Sequence, residues 1–215
     1  MNNSRVIILG AGGHASVLAD TIMRGTQDIA AVISPSKVHS PILTHLKHCS
    51  SDDQLKHFDP RTHEVVIGVG PRVHGDVRPQ LVSFAQELGF KFAKVISEAA
   101  YVAEQVKIAD GVQLLPACVV NTGAIIAEHV VVNSRALVEH DCSIGAFSHI
   151  GPAAVLCGGV NLGQHVFVGA GAVILPGVRI ASHTIIGANA LVDRDIDQPS
   201  TVYGARATVQ QRSST

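Results

Sequence analysis

The 215-residue sequence has no tryptophan, few other aromatic residues (4%) and few charged residues (15%). Its formal net charge of −1 gives no electrostatic basis for binding nucleic acid or an anionic membrane. No apolar run is long enough to span a bilayer. The first residues, MNNSRVIILGAGGH, lack a signal-peptide pattern because their apolar run is short and ends in a glycine turn. We therefore expect a cytoplasmic protein without a nucleic-acid or membrane partner.

Metal-binding motifs are also missing from the sequence. The four cysteines have no spacing typical of a metal or redox site: Cys49, Cys118, Cys142 and Cys157. Three histidines near Cys49 are spaced too loosely for a structural zinc site: His39, His45 and His48. We therefore predict that the protein holds no metal.

A six-residue period is present between Val102 and Val192. Every sixth residue is Val, Ile or Leu, sixteen in all, and the residue two positions before each is always Val, Ala, Cys, Ser or Thr. Such a period is typical of a parallel β-helix, in which three hexapeptides form one triangular coil. The sequence therefore predicts an all-β coil over residues 98–196, with both residues of each pair facing the core and residues eighteen apart stacked.

The corners and outer faces of the coil carry further patterns. Glycines such as Gly145 and Gly163 directly follow the large aliphatic residue, where the chain bends and we expect some residues to need a positive φ. Many outward positions are apolar, which predicts that coils pack side by side, as in a homotrimer. These positions are Ile125, Val131, Leu137, Val155, Phe167, Val173, Ile185 and Leu191.

The N-terminal third alternates between apolar runs and amphipathic segments. Such alternation predicts a small α/β domain with a parallel, Rossmann-like sheet over residues 1–97, and residues 197–215 are expected to form a C-terminal tail. The strands are expected at Val6–Leu9, Ile29–Ile33, Val65–Val69 and Phe92–Ile96. Helices are expected after the first glycines and at Pro79–Leu88, with one short helix within Ser34–Asp59.

A glycine turn, G-x-G-x-x-A from Gly10 to Ala15, follows the first strand. Such a turn lets backbone amides approach a phosphate at a helix N-terminus. An NAD site would also need an acid after the second strand, where this chain has Ser34-Pro35. The turn therefore favours a nucleotide portion of another ligand over NAD, and a purely structural turn stays open. Beside the turn, His14 is either a donor to a phosphate or sugar oxygen or simply a first-turn helix residue.

One corner of the predicted coil is polar where the others carry Gly, Ala or Pro. It contains Glu139, His140 and Asp141, with Asn133 before it and His149 after it. A histidine beside a carboxylate is held in one tautomer, as a general base needs. The alternative is a solvated polar corner, which is our interpretation of three other histidines: His129, His165 and His183.

Two segments together resemble the bacterial nucleotide-sugar acetyltransferases of the PglD/NeuD-like family. They are VIILGAGGHA near the start and LVEHDCSIGAFSHIGPAAVLCGGVNLGQHVFVGAGAVILPGV in the coil, and the resemblance extends over about residues 5–204. It implies a left-handed β-helix, a homotrimer with active sites between coils, and acetyl-CoA as co-substrate. It also implies N-acetylation of the 4-amino group of a nucleotide-linked 4-amino-4,6-dideoxy sugar.

The resemblance assigns roles to individual residues. His140 matches the proposed general base, Asp141 the acid that supports it, and Asn133 a residue near the reacting amine. Four positions match the acetyl-CoA groove: His149, Gly158, Ala170 and Ala188. Four others match the nucleotide-sugar site of the N-terminal domain: Gly12, Gly13, His14 and Gly70.

Two departures from the family pattern bear on these roles. Ser34-Pro35 stands where the bacillosamine-type enzymes have acids that contact uracil, which puts UDP in doubt. Near the C-terminus, Gly204-Ala205-Arg206-Ala207-Thr208 replaces the usual Gly-x-Pro-Ala-Lys, and Arg206 is either a contact to a CoA phosphate or part of a solvated tail. O-acetylation of sialic acid or a related sugar and a non-catalytic sugar-binding coil are the alternative functions.

Overall fold

The computed structural model describes residues 5–73, 75 and 77–204. Its first part is a five-stranded, all-parallel sheet with the strand order β3-β2-β1-β4-β5. The strands are β1 (Arg5–Leu9), β2 (Ile29–Ile33), β3 (His48–Cys49), β4 (His63–Ile67) and β5 (Lys91–Phe92). The helices are α1 (Gly13–Arg24), α2 (Pro41–Thr44), a 3₁₀ helix (Asp52–His57) and α3 (Val77–Glu87).

The apolar runs form buried strands because helices cover both faces of the sheet, as a parallel sheet requires. On one face Val6 and Ile8 pack with Leu18 of α1, and on the other Ile7 and Leu9 pack in the cluster that holds Val82 of α3. The Rossmann-like prediction is thereby confirmed. The segment between β2 and β4 contains more than the one short helix predicted, since it also supplies the third strand and the 3₁₀ helix.

The strand predicted at Phe92–Ile96 is two strands in two different sheets. Lys91–Phe92 pairs with β4, whereas Val95–Ile96 pairs with a strand of the coil. The chain therefore changes sheet between Phe92 and Val95. The coil therefore begins at Val95–Ile96, before the domain boundary predicted after residue 97.

The coil is the predicted left-handed parallel β-helix, built from two-residue strands. They are β6 (Val95–Ile96), β7 (Tyr101–Val102), β8 (Lys107–Ile108), β9 (Gln113–Leu114), β10 (Val119–Val120), β11 (Ile125–Ile126), β12 (Val131–Val132), β13 (Leu137–Val138), β14 (Ser143–Ile144), β15 (His149–Ile150), β16 (Val155–Leu156), β17 (Asn161–Leu162), β18 (Phe167–Val168), β19 (Val173–Ile174), β20 (Arg179–Ile180), β21 (Ile185–Ile186), β22 (Leu191–Val192) and β23 (Thr201–Val202). Within the tail predicted at 197–215, Thr201–Val202 pairs with β21 and so extends the coil.

These strands form three sheets, which we call faces. Face 1 contains β6, β9, β12, β15, β18, β21 and β23; face 2 contains β7, β10, β13, β16, β19 and β22; face 3 contains β8, β11, β14, β17 and β20. The chain turns from face to face at three edges, named edge 1–2, edge 2–3 and edge 3–1. The second residue of each strand points inward, and residues such as Val120, Val138 and Leu156 are fully buried, as the period predicts.

The corner glycines have a different cause from the one expected. Positive φ falls on the third residue after the large aliphatic, for example at His129 (58°) and Asp141 (60°), and not on the glycine that directly follows it. A Cβ on Gly145 would instead collide with the backbone of Gly163 in the next coil. Close stacking of the coils therefore requires these glycines.

The N-terminal domain docks on the first coils of face 1. Val131 points outward from the coil as predicted, but the N-terminal domain buries it fully, so the prediction that it contributes to packing between coils is wrong. Gln113 donates a hydrogen bond from Nε2 to the carbonyl of Ile67 at 2.9 Å, and Arg78 donates to the carbonyl of His129 at 3.2 Å. The sequence pattern gave no sign of this docking because the outward residues of a coil look alike whether solvent or a domain covers them.

Within the described part of the chain, no helix is long and apolar enough to cross a membrane. Among the same residues, no group of three or more His, Cys, Asp and Glu side chains is arranged to hold a metal ion. Arg206 lies outside the described residues, so its two interpretations stay open.

Candidate active site

His140 projects from edge 2–3, immediately after β13, and its ring is exposed. Its Nδ1 lies 2.9 Å from Oδ2 of Asp141. Because an ionised carboxylate only accepts hydrogen bonds, Nδ1 donates, and the lone pair of the neutral ring lies on Nε2. The structure thus brings His140 and Asp141 together as predicted and leaves a basic nitrogen facing outward.

Glycines above and below make room for this pair. A Cβ on Gly123, one coil earlier, would collide with Asp141 Oδ1, and a Cβ on Gly158, one coil later, would lie 2.5 Å from His140 Nε2. Gly158 is therefore beside the basic nitrogen. Its predicted role in the acetyl-CoA groove stays a prediction.

Glu139 stabilises the corner and does not contact the histidine ring. Its Oε2 accepts a hydrogen bond from Asn121 Nδ2 at 2.9 Å and another from the peptide N–H of His140 at 3.3 Å. Asp141 is thus the carboxylate that orients the imidazole.

Asn133 lies on edge 1–2, at the other end of β13 from His140. Its Nδ2 is 3.2 Å from His149 Nε2, and its Oδ1 accepts the peptide N–H of Ser134 at 2.8 Å. Within one chain, Asn133 therefore pairs with His149 rather than with His140.

His149 is an outward residue of face 1, yet only 7% of it is exposed, and its ring packs against Phe167 with 4.7 Å between the ring centroids. Burial lowers the pKa of His149 to about 3, and the nearby His14 and Arg78 add to the effect. The ring is consequently neutral at physiological pH. Its Nδ1 is buried and has no hydrogen-bond partner among the described residues.

A cleft of about 350 Å³ separates the loop after β4 from face 1 and edge 3–1. This volume is within the range of small-molecule sites. The lining includes Gly70, Arg72, Arg78, His149 and Phe167. Arg78 is 7% exposed and donates to the carbonyls of Val69 and His129, so these backbone oxygens fix its guanidinium group at the wall of the cleft.

The glycine turn has two kinds of glycine. Gly10 has φ 114° and a Cβ there would lie 2.8 Å from the backbone of Val69, so the fold itself requires it. A Cβ on Gly12 or Gly13 would meet nothing within 4 Å, and both residues are exposed at the start of α1. The second pair therefore leaves the helix N-terminus open to a ligand.

His14 is a first-turn residue of α1, as one interpretation of the sequence had it, and its ring contacts the coil. Its Nε2 lies 2.7 Å from Oε1 of Gln113, and burial lowers its pKa to about 4. The N–H of the neutral ring is therefore used within the protein. Gly70 borders His14, since a Cβ on Gly70 would lie 3.2 Å from that of His14.

Three histidines interpreted as solvated corners form a ring ladder along edge 3–1. His129 packs edge-on against Phe92 at 4.6 Å and stacks on Phe147 at 4.9 Å between ring centroids, and His165 and His183 continue the stack. Because His129 is only 4% exposed, the solvated interpretation is wrong for it. Docking of the N-terminal domain, which the coil pattern does not encode, buries this ring.

The predicted acetyl-CoA residues fall on different parts of the coil. Gly158 lies on edge 2–3 beside His140, whereas Ala170 and Ala188 are exposed on edge 1–2, the edge of Asn133. A single chain therefore does not bring the predicted catalytic and cofactor residues into one place.

Carboxylates missed from the sequence lie near the end of β2. A hollow of about 480 Å³ is lined by Pro35, Asp52, Asp53 and Phe84, among others. Burial, followed by the charge of Asp53, raises the pKa of Asp52. Acidic residues thus lie near the position where Ser34-Pro35 lacks them, but they come from the 3₁₀ helix that follows β3, and neither element was predicted.

Comparison with known proteins assigns the two parts of the chain. Residues 5–82 match the PglD N-terminal domain, and residues 159–194 match the bacterial transferase hexapeptide (six repeats). The chain is 28% identical, with a TM-score of 0.86, to GDP-perosamine N-acetyltransferase from Caulobacter crescentus, solved as a histidine-to-alanine variant with CoA and GDP-perosamine; 97% of this chain and 98% of that one are covered. The chain thus carries both domains of the PglD/NeuD-like hexapeptide-repeat acetyltransferases and resembles them over nearly its whole length.

Two further solved structures share this similarity. The acetyltransferase domain of PglB from Neisseria gonorrhoeae, in complex with acetyl coenzyme A, is 28% identical with a TM-score of 0.85, covering 94% of this chain and 97% of that chain. WeeI from Acinetobacter baumannii has a TM-score of 0.80 at 22% identity, covering 94% and 97%, and shares the fold. The resemblance read from the sequence is thereby confirmed for family and fold.

Proposed function

We propose that the protein is an N-acetyltransferase that moves an acetyl group from acetyl-CoA to the 4-amino group of a nucleotide-linked 4-amino-4,6-dideoxy sugar. The observation that carries this proposal is the exposed His140 ring, whose Nδ1 is bound to Asp141 at 2.9 Å and whose Nε2 is free to take a proton. The match of residues 5–82 to a PglD N-terminal domain supports a nucleotide sugar as acceptor.

In the proposed reaction the amine nitrogen attacks the thioester carbon directly. The new C–N bond forms, His140 Nε2 takes a proton from the nitrogen, and the C–S bond then breaks to release the thiolate of CoA, which His140 can reprotonate. Positioning the two substrates and removing one proton is sufficient, so no covalent enzyme intermediate is needed. Asp141 stabilises the imidazolium that forms between the two proton transfers.

The proposed nucleotide-binding site is the turn at Gly12 and Gly13, where peptide N–H groups at the start of α1 face open space. Guanine, uracil and thymine are the candidate bases. A cytoplasmic location also stays a prediction.

A homotrimer is part of the proposal because the predicted site residues lie on two edges of one chain. Face 2 lies between those edges, and its outward residues are all apolar: Tyr101, Val119, Leu137, Val155, Val173 and Leu191. Tyr101 and Leu191 are 59% and 64% exposed. Three copies with face 2 toward a three-fold axis would cover this surface and set edge 1–2 of one chain against edge 2–3 of the next.

Val155→Glu, in the middle of face 2, tests the trimer. We expect it to yield a monomer by light scattering and to lose acetyl transfer, because a buried unpaired carboxylate is strongly unfavourable. Asn161→Glu is the matched control, since residue 161 has the same outward register on the exposed face 3. A Val155→Glu protein that stayed trimeric would refute the placement of face 2 at the interface.

The reaction is tested by measuring CoA thiol release with acetyl-CoA and a panel of UDP-, GDP- and dTDP-linked 4-amino sugars. Hydroxyl acceptors, including sialic acid, belong in the same panel. Transfer to hydroxyl acceptors alone would replace the proposed N-acetylation by O-acetylation. Absence of both transfer and acetyl-CoA binding by calorimetry would favour a non-catalytic sugar-binding protein.

A further inference from the structure

Two amide side chains on the docked side of the coil each contact one histidine. In the first pair, Ser134 donates its peptide N–H to Asn133 Oδ1 at 2.8 Å, so the Nδ2 end of the amide faces His149 at 3.2 Å. An amide NH₂ can only donate, so His149 Nε2 is the unprotonated, accepting nitrogen. The proton of this neutral ring therefore lies on Nδ1.

The second pair has the reverse arrangement. Gln113 Nε2 donates to the carbonyl of Ile67 at 2.9 Å, which leaves its Oε1 facing His14 Nε2 at 2.7 Å. Because a carbonyl oxygen can only accept, His14 carries its proton on Nε2 and its lone pair on Nδ1.

Neither histidine is suited to act as a base at neutral pH. Burial lowers the pKa of His149 to about 3 and that of His14 to about 4, so both rings are neutral. The Nδ1–H of His149 is also a buried donor without a partner among the described residues. Since buried donors are almost always satisfied, an unsatisfied one in a residue that lines a cleft indicates a ligand acceptor.

We propose that Asn133 and Gln113 are positioning residues that hold His149 and His14 in opposite neutral tautomers. The cleft then offers its ligands one uncharged N–H donor, from His149. His14 lies behind Gly70, a residue of the cleft lining, and its unprotonated nitrogen is Nδ1. The identity of the ligand rests on the proposed function, because the oxygen that meets His149 belongs to acetyl-CoA or to the nucleotide sugar. Asn133 thus acts through His149, which differs from the predicted role beside the reacting amine.

The tautomers are measured directly by ¹⁵N NMR of the full-length, ligand-free protein labelled in its histidines. We expect the Nδ1–H form for His149 and the Nε2–H form for His14, with each signal assigned by its loss in a His→Asn variant. Asn133→Leu should move His149 toward the Nε2–H form and leave His14 unchanged. An Nε2–H form of His149 in the unmodified protein, or no response to Asn133→Leu, would overturn the inference.

The donor role is tested with two amide replacements of His149. Asparagine can place an N–H near the Nδ1 position, whereas glutamine places its amide near Nε2. We expect a KM about tenfold higher for His149→Gln than for His149→Asn, toward the ligand that supplies the acceptor. Separate titrations with acetyl-CoA and GDP-perosamine identify that ligand by the shift of the Nδ1–H signal.

Equal KM values for the two variants, or no shift with either ligand, would refute the donor role. The tautomers are measured without substrate. A wrong tautomer assignment is therefore distinguishable from a failure of the proposed reaction.

Discussion

Acid should destabilise this protein through a histidine that is far from the proposed base. His129 is 4% exposed and sandwiched between Phe92 and Phe147. Burial lowers its pKa to about 4, and the charge of Arg78 adds to this, while Glu128 and Asp110 oppose it. In the unfolded chain the ring would titrate near 6.5.

The sign and size of the effect follow from these two values. Between pH 6.5 and pH 4 the unfolded chain binds a proton that the folded chain does not, so stability falls as the pH falls through this window. Because of this ring, the free energy of unfolding is about 2 kcal/mol lower at pH 5 than at pH 7. Below pH 4 it decreases no further on this account, because the folded form also becomes protonated.

The assay is urea denaturation at pH 7 and pH 5 at a fixed protein concentration, for the original protein and for His129→Phe. Phenylalanine is tolerated at this type of corner, since Phe147 occupies the next position of the ladder with φ 59°. Between pH 7 and pH 5, we expect the free energy of unfolding to decrease by about 2 kcal/mol less in His129→Phe than in the original protein. His183→Phe is the control, because that ring of the ladder is exposed. An unchanged pH dependence in His129→Phe would refute the reasoning.

Three further substitutions test individual contacts. Gly158→Ala places a Cβ 2.5 Å from His140 Nε2 and should lower kcat at least about tenfold with little change in melting temperature; unaltered kcat would contradict the proposed position of the ring. Glu139→Ala removes the acceptor for Asn121 Nδ2 and should cost about 1 kcal/mol in urea denaturation, whereas Glu139→Gln, which keeps an acceptor, should cost less. Arg78→Met should lower the free energy of unfolding by about 3 kcal/mol because it leaves the carbonyls of Val69 and His129 without donors. A decrease below about 1 kcal/mol would contradict the role of Arg78 in joining the N-terminal domain to the coil.

The regular part of the molecule was predictable because its signal is local and repeated. Sixteen aliphatic residues at one spacing identify the coil, and the inward positions such as Val138 follow from strand alternation. The polar corner at His140 was also predictable, because its residues are adjacent in sequence and other corners carry Gly, Ala or Pro.

Contacts between distant segments could not be predicted in the same way. Asn133 and His149 are sixteen residues apart, and only the stacking of successive coils makes them neighbours. The burial of Val131 and His129 depends on where the N-terminal domain docks, which no periodicity in the coil reports. The two-residue strand His48–Cys49 is too short to show a period, so the placement of Asp52 near Pro35 was missed with it.

The most direct test of the account is the rate of acetyl transfer by His140→Ala compared with the original protein, using acetyl-CoA and GDP-perosamine. Removal of a general base typically costs a factor of about 10² to 10⁴. We expect a loss of that size in kcat, with acetyl-CoA affinity and melting temperature unchanged, because the His140 ring is exposed and bonded only through Asp141 among the described residues. Full acetyl transfer by His140→Ala would contradict the account.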